Sequence, residues 1–488
     1  MKALRRMIEV PKHIIVKMCL GISLILTGCF SPVRYGGNLE TNPTTLHYAD
    51  LEMSGEVLDR WWEIYGDTAL NDFVETVLEE NMSLQVAYLR MLDSRISYEQ
   101  STSSYYPTLN LSAGVGVGGN VSSDSTVDPS YSLGLSFGYE IDIWGRIRAQ
   151  TVVNEAAVYS AQDAAESAAI SLVGKVVTEW FNVQYYRDRL ALTQRLLELS
   201  ESYYTLVQEY YRSGQATGMD VLEQNQQLET LRSTIESQEM NIRLSERALE
   251  ILAGGRTRAT VEGGLPEPTG IGGTVNVEQL MKRRPDIRAA LRSAQQADAK
   301  IVIALADRLP TLRLSASLAF RSADITELFK RLLWDVAANF VVNLFDGFKS
   351  TKAIDRAKVA YLQESMAYGI VVMEAVQEVE KSLLTLRLRE QELKDAQAEL
   401  ERQKHILNVS RDYYVGGLIE YNRVLSALRS LVSSSQSELD ARKNVLLAQL
   451  AVFQAMGGGT WLEDVSRRGE EKAQKALSAL DEDDDNKH

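Results

Sequence analysis

Self-similarity at a spacing of 202 or 203 residues constrains this chain more than any other feature of its sequence. Leu84 and Ala87 meet Ile287 and Ala290, Pro107 meets Pro310, and Gly145 meets Gly347. Gly214, Val221 and Leu222 meet Gly417, Val424 and Leu425, and Gly254 falls beside Gly457. The spacing drifts by one residue over the whole length, so the chain holds one unit twice and both copies must fold by the same rules. The expected division is a signal segment (1–28), an N-terminal segment (29–60), a first repeat (61–255), a connecting segment (256–276), a second repeat (277–459) and a C-terminal segment with an acidic tail (460–488).

Each repeat has the same internal order. In the first, a helical pattern from about Leu70 to Ser103 stops at Pro107, and the chain then alternates. Leu109, Leu111, Ala113, Val115 and Val117 share one face, and Asn110, Ser112, Gly114, Gly116 and Gly118 the other, which is strand periodicity. After a Gly/Ser/Asp-rich connection it recurs, with Tyr131, Leu133, Leu135, Phe137, Tyr139, Ile141 and Ile143 on one face. The second repeat supplies Leu312, Leu314, Ala316, Leu318 and Phe320, then Trp334, Val336, Ala338, Phe340, Val342 and Leu344. Such strands, apolar on one side and small or polar on the other, have the length and patterning of transmembrane β-strands. Soluble amphipathic strands share the alternation, but here interfacial aromatics punctuate the apolar side. Four strands cannot close a barrel, and an open edge in lipid leaves backbone groups unpaired at several kcal/mol each, so the sheet must be completed by two or three copies of the chain.

Proline is absent between Pro129 and Pro266 and after Pro310. Because an interior proline costs a helix roughly 3 kcal/mol, these tracts permit very long helices. Arg148 to Tyr211 and Lys349 to Val415 each contain one glycine, Gly174 and Gly369, and at about 1.5 Å per residue each run extends roughly 100 Å. Gly214 and Gly218, then Gly416 and Gly417, interrupt the pattern and return a second helix, Met219 to Leu252 and Tyr421 to Met456. Each repeat is therefore predicted to form an elongated helical hairpin.

The N-terminus reads as an address. A basic stretch through Lys17 leads into a short apolar segment, and Leu26-Thr27-Gly28-Cys29 resembles the bacterial lipoprotein signal, implying cleavage before Cys29 and lipidation of that cysteine. Phe30 follows it, where an aspartate tends to retain lipoproteins at the inner membrane, so the outer membrane is expected. The only other cysteine, Cys19, leaves with the leader, and no disulfide is expected. A net charge of -14 argues against nucleic acid as a partner. His13, His47, His405 and His488 are scattered without metal-ligand spacing, and no phosphate-cradling loop or nucleophile elbow occurs, so neither an enzyme nor a cofactor is expected. The acidic run Asp481 to Asp485 reads as a solvated, disordered end and not as a calcium site.

Trp61-Trp62 with Asp67-Thr-Ala-Leu70, and Asn81-Met-Ser-Leu84 with Ala87, carry a more specific likeness. So do Tyr105-Tyr106-Pro107-Thr-Leu109, Tyr139-Glu140-Ile-Asp142-Ile-Trp144-Gly145-Arg146, Arg284-Pro285-Asp286-Ile287 and Leu344-Phe345-Asp346-Gly347. Across about residues 30 to 460 the chain resembles the outer membrane factors of the TolC type, and within them the lipidated NodT-like branch. The resemblance implies an α+β membrane protein: a trimeric 12-stranded β-barrel, four strands per chain, continued by a long α-helical periplasmic barrel. It implies a passive exit duct for small molecules, with a homotrimer, a periplasmic adaptor (membrane fusion) protein, an inner-membrane efflux transporter and outer-membrane lipid as partners. A duct for type I protein or peptide secretion, and a non-conducting envelope-spanning lipoprotein, remain open alternatives. The two turns are the expected tip, with Gly214, Thr217, Gly218, Gly417 and Leu418 docking the adaptor. Asp220 and Tyr414 fall on family positions that form a closing contact between neighbouring hairpins. Arg423 and Ser426 stand where the best-known members carry an acidic ring, so Arg423 is expected to alter that gate's selectivity.

Overall fold

The computed structural model describes residues 59–119, 127–270 and 277–485. Cys29, the leader and nearly all of the 29–60 segment lie outside these residues. The chain divides into two compact units, and each draws on both repeats.

The first unit, Ser97–Glu155 with Ala294–Glu364, holds the strands. β1 (Thr108–Gly119), β2 (Val127–Ile141), β3 (Thr311–Ser322) and β4 (Leu332–Val341) form one antiparallel sheet in the order β1-β2-β3-β4. β1–β2 and β3–β4 are the hairpins of the two repeats. The β2–β3 ladder, from Tyr131 opposite Ser322 to Ile141 opposite Leu312, splices the repeats together. The predicted apolar face lies open: Leu111, Val115, Trp334 and Val336 are 71–76 % exposed. On the opposite face, Ser112 and Thr108 donate hydroxyl hydrogen bonds to the carbonyls of Gly134 and Gly138 at 3.2 and 3.3 Å. Ser130 and Ser132 do the same to Gly116 and Gly114 at 3.3 and 3.4 Å. These serines and threonine satisfy themselves on the neighbouring strand and, with the glycines, line most of the β1–β2 part of that face with small groups, while Glu140 and Arg313 pair across β2 and β3.

The alternation predicted strands to Ile143 and Leu344, but β2 ends at Ile141 and β4 at Val341. Helix caps take over there. Asp142 accepts from the Ile147 and Arg148 amides at 3.1 and 3.0 Å, and Asp346 from the Ser350 amide at 2.8 Å, which turns the chain into the long helices.

Helices account for most of the other described residues: α1 (Thr68–Glu80), α2 (Met82–Thr102), α3 (Arg146–Arg212), α4 (Gly218–Leu252), α5 (Val277–Arg283), α6 (Pro285–Ala306), α7 (Lys349–Val415), α8 (Tyr421–Ala455) and α9 (Trp461–Asp485). The duplication is visible in their lengths, since α3 and α7 each have 67 residues and α4 and α8 each have 35. The single helix expected over 70–103 is broken at Asn81. That side chain accepts the Leu84 amide at 2.9 Å, capping α2, and donates to the Leu252 carbonyl at 2.9 Å. The tail expected to be a solvated end is helical to Asp485.

The second unit packs its core from both ends of the sequence. Ala169, Val173, Val176, Val177 and Trp180 recur at helical spacing on α3 and are buried. Trp61 stacks on Phe453 at 5.6 Å, and Trp62 meets Trp461 edge-on at 5.0 Å. Asp67 caps α1 through the Leu70 amide at 3.0 Å and also accepts the Trp180 indole N–H at 2.8 Å. Arg284 of the Arg-Pro-Asp motif grips Asp286 with two bonds of 3.0 and 2.6 Å and donates to the Ala455 carbonyl at 2.7 Å, tying α6 to the end of α8. A side chain at Gly457 would collide with Arg284 at 2.8 Å, which accounts for that glycine.

Candidate functional site

Both helix-to-helix turns expected at the tip lie in the second unit and close in the same way. Gly214 and Gly417 have φ of +77° and +68°, a left-handed conformation that costs other L-residues roughly 1–2 kcal/mol. The Gln215 amide returns to the Tyr210 carbonyl at 2.7 Å and the Leu418 amide to the Tyr413 carbonyl at 2.9 Å, the long bond of a Schellman cap.

The return helices begin differently. At α4, Thr217 and Asp220 make a capping box: the Asp220 carboxylate accepts the Thr217 amide at 2.7 Å and its hydroxyl at 2.9 Å, and the Asp220 amide donates to Thr217 Oγ1 at 3.3 Å. At α8, Glu420 makes no side-chain cap, and Arg423 is exposed and forms no ion pair among the described residues. Asp220 is thus satisfied inside its own turn. Its role as a cap was readable from Thr-x-x-Asp.

Tyr414 is buried, with its ring edge-on to Tyr210 at 5.0 Å and tilted against Tyr421 at 5.5 Å. Its hydroxyl has no hydrogen-bond partner among the described residues. Burial, followed by the nearby Tyr210 and Asp220, pushes that hydroxyl up to about 12, so it stays protonated at any physiological pH. Asp220 and Tyr414 are therefore close enough to sense each other but are not joined by a hydrogen bond within the chain.

The sequence did not single out the polar bridge beside them. Tyr421 Oη donates to Gln224 Oε1 at 2.7 Å, and Gln224 Nε2 donates to both the carbonyl and the hydroxyl of Ser200 at 2.7 Å. Gln224 is 0 % exposed, so this chain of bonds fastens α8 to α4 and α3 inside an apolar cluster of Tyr203, Val207, Leu407, Val424 and Leu428. The turns also present Tyr211, Met219, Leu222, Tyr413, Val415 and Leu418, which are 52–72 % exposed. Of these only Leu418 was anticipated. The clustering of apolar residues within four positions of a turn glycine is the signal that marks the rest.

Among solved structures, CusC shares the fold with a TM-score of 0.77 at 21% identity, covering 85% of this chain and 96% of that one. The Campylobacter jejuni CmeC outer membrane channel matches with a TM-score of 0.78 at 20% identity, covering 86% and 92%. In sequence, the chain is 24% identical over 456 residues to the probable outer membrane lipoprotein SilC of Salmonella typhimurium, covering 90% of this chain and 97% of SilC. It is 25% identical over 422 residues to the pyoverdine export outer membrane protein OpmQ of Pseudomonas aeruginosa, covering 83% and 88%. The sequence model of the family described as outer membrane efflux protein matches residues 73–255 and 276–458, one match per repeat. With both repeats matched and the sheet and paired helical hairpins of the channel fold in place, the chain belongs to the outer membrane efflux protein family.

Proposed function

We propose that the chain is one of three identical subunits of an outer-membrane exit duct, in which three four-stranded sheets close a single 12-stranded barrel and the helical hairpins continue it as a tunnel. One observation carries this reading: a sheet with one apolar, exposed face and two edge strands, β1 and β4, each with a single ladder among the described residues. In lipid those edges cost several kcal/mol per unpaired backbone group, and pairing β4 with β1 of another copy removes them all. Two copies would supply eight strands; the likeness to the TolC-type channels favours three.

The exposed apolar residues around Gly214, Thr217, Gly218, Gly417 and Leu418 make the surface on which a periplasmic adaptor docks, which links the duct to an energised inner-membrane transporter. Cys29 is the acylated anchor. Asp220 and Tyr414 of neighbouring copies close the tip; the Tyr414 hydroxyl, buried and without a partner in the single chain, turns outward to make that contact. Relatives are named for cation efflux, for pyoverdine export and for solvent efflux, so the named cargo differs from one relative to the next. A passive duct for small solutes, with selection made elsewhere in the assembly, accounts for that.

Planar-bilayer conductance of the detergent-purified protein tests the reading. A small current in wild type that rises in Tyr414→Phe supports a closed tip held by this hydroxyl. A conducting trimer indifferent to the substitution removes the gate and keeps the duct. Absence of current in every variant leaves only a structural role.

A further inference from the structure

We propose that β4 joins β1 of a second copy in one defined register: Val341 opposite Ser112 of the partner subunit, Phe340 opposite Ala113, Ala338 opposite Val115, and Val336 opposite Val117. The inference rests on the multi-copy barrel proposed above and specifies how its seams are sewn.

The duplication carries it. In the first hairpin Thr108 pairs with Gly138, and in the second Thr311 pairs with Val341. Both partners are displaced by 203 positions, so the two hairpins superpose residue for residue without a gap. Only one junction between repeats lies inside the chain, β2 to β3, and there Gly138 pairs with Ser315, Phe137 with Ala316, Leu135 with Leu318 and Leu133 with Phe320. A barrel of alternating repeats has the reverse junction, β4 to β1, between copies. Moving each β2 residue forward by the repeat spacing, and each β3 residue back by it, turns the observed pairs into the proposed ones.

Two further observations agree. β1 pairs with β2 only as far as Gly138, yet β2 remains a strand to Ile141 because β3 pairs with it there. β4 stops at Val341, the repeat equivalent of Gly138, where its ladder to β3 also stops. The equivalents of Tyr139–Ile141 are Val342–Leu344, so the proposed junction is what extends β4 by the three residues that its alternation anticipates. Val342 is 40 % exposed and Leu344 is 94 % exposed, and the register sets them beside Leu111 and Leu109 of the partner subunit, whose counterparts in this chain are 73 % and 65 % exposed. The register keeps the faces in phase: Phe340, Ala338 and Val336 of the apolar face meet Ala113, Val115 and Val117 of the apolar face, while Val341 meets Ser112 on the opposite face. A slip of one residue would set the whole apolar row of β4 against the small, polar row of the partner subunit's β1.

Disulfide trapping in the full-length protein tests the register. β4 and β1 of one chain are three strand spacings apart, about 14 Å, so a disulfide between them must join two copies. The opposed pairs are Val341→Cys with Ser112→Cys, and Ala338→Cys with Val115→Cys. They occupy alternate pairing sites, so one lies at the closer Cβ spacing. The slipped controls are Val341→Cys with Asn110→Cys, and Ala338→Cys with Ala113→Cys, in which Cβ atoms stand about 7 Å apart. At least one opposed pair should give covalent dimers and trimers on oxidation, with about tenfold less from the slipped pairs, whose separation exceeds disulfide reach. A trimer for the wild type by native mass spectrometry, together with cross-linking of the slipped-pair variants in place of the opposed ones, overturns the register and leaves the barrel intact. A wild-type protein that is monomeric in detergent and in membranes overturns both.

Discussion

Two tyrosines a few ångströms apart at the tip should behave oppositely when their hydroxyls are removed. Tyr421 Oη is the partner of Gln224 Oε1 at 2.7 Å, and Gln224 is 0 % exposed, so Tyr421→Phe leaves a buried amide oxygen without a donor. Such an orphan costs about 1–3 kcal/mol, and the phenyl ring keeps the packing, so the loss should appear almost entirely in the stability of the tip. With RT about 0.59 kcal/mol, that is roughly 5- to 150-fold more frequent local opening. Tyr414 Oη has no partner to orphan, so in an isolated chain Tyr414→Phe should be neutral or slightly stabilising. Hydrogen exchange followed by mass spectrometry, on peptides covering Tyr203–Gln227 and Leu407–Arg429, measures both. Tyr421→Phe should speed exchange at both turns by a factor within that range, and Tyr414→Phe by less than about twofold. Because burial holds both hydroxyls protonated, the contrast should not change between about pH 6 and 9. Equal acceleration by both substitutions, or a larger effect from Tyr414→Phe, would refute the assignment of the polar bridge as the fastening of the tip. If Tyr414→Phe raises the bilayer current while leaving exchange unchanged, its hydroxyl acts between copies and not within one.

Three other outcomes follow from the same structure. Asp67→Ala removes the cap of α1 and orphans the Trp180 indole, about 2–4 kcal/mol together, whereas Asp67→Asn keeps an acceptor and should lose about half as much; equal losses in thermal unfolding would contradict this division. Burial raises the Asp163 carboxyl to about 6 against the opposing pull of Arg288, so the folded state binds its proton more tightly than the unfolded state does. Stability should therefore fall as pH rises from about 4 to 6, and that part of the slope should be absent in Asp163→Asn; identical pH profiles of the two thermal midpoints would rule it out. Arg423→Glu should move the reversal potential of the bilayer current toward cation preference, since a ring of exposed arginines at a narrow tip favours anions, and an unchanged potential would place Arg423 away from the conducting path.

The long elements were legible because their signals are long. The proline-free tracts located α3 and α7 to within two residues, since nothing between Arg146 and Arg212 or between Lys349 and Val415 competes with the helix. The strands were legible on their faces but not at their ends: Ile143 and Val342 carry the right side chain for the alternation, but whether they pair depends on the caps at Asp142 and Asp346 and on the neighbouring strand. The break at Asn81 was missed because the helical pattern runs through it; its side chain caps α2 through the Leu84 amide and is held there by its bond to Leu252, 171 positions away. The bridge at the tip was illegible for the same reason. Ser200, Gln224 and Tyr421 are ordinary helix residues until the fold buries them together, and a glutamine on a helix gives no hint of which carbonyl it will find.

Where the two repeats differ is as informative as where they agree. Equal helix lengths and equivalent registers mean that the duplicated skeleton needs little sequence to specify it, so departures from equivalence mark positions under some other demand. The tip supplies the clearest one. Thr217 and Asp220 of the first turn correspond to Glu420 and Arg423 of the second. The first pair satisfies itself in a capping box, and its charge is taken up by its own turn. The second pair makes no cap and no ion pair among the described residues, so it gives α8 less local stability and leaves two opposite charges exposed at the turn. A helix start without its cap forgoes about 1 kcal/mol, a cost that a purely structural turn has no reason to carry. The second turn therefore keeps two charged side chains uncommitted within the chain, and under the proposed assembly these are available to a neighbouring copy or a solute at the entrance, whereas Asp220 of the first turn would meet a neighbouring Tyr414 while also holding its cap.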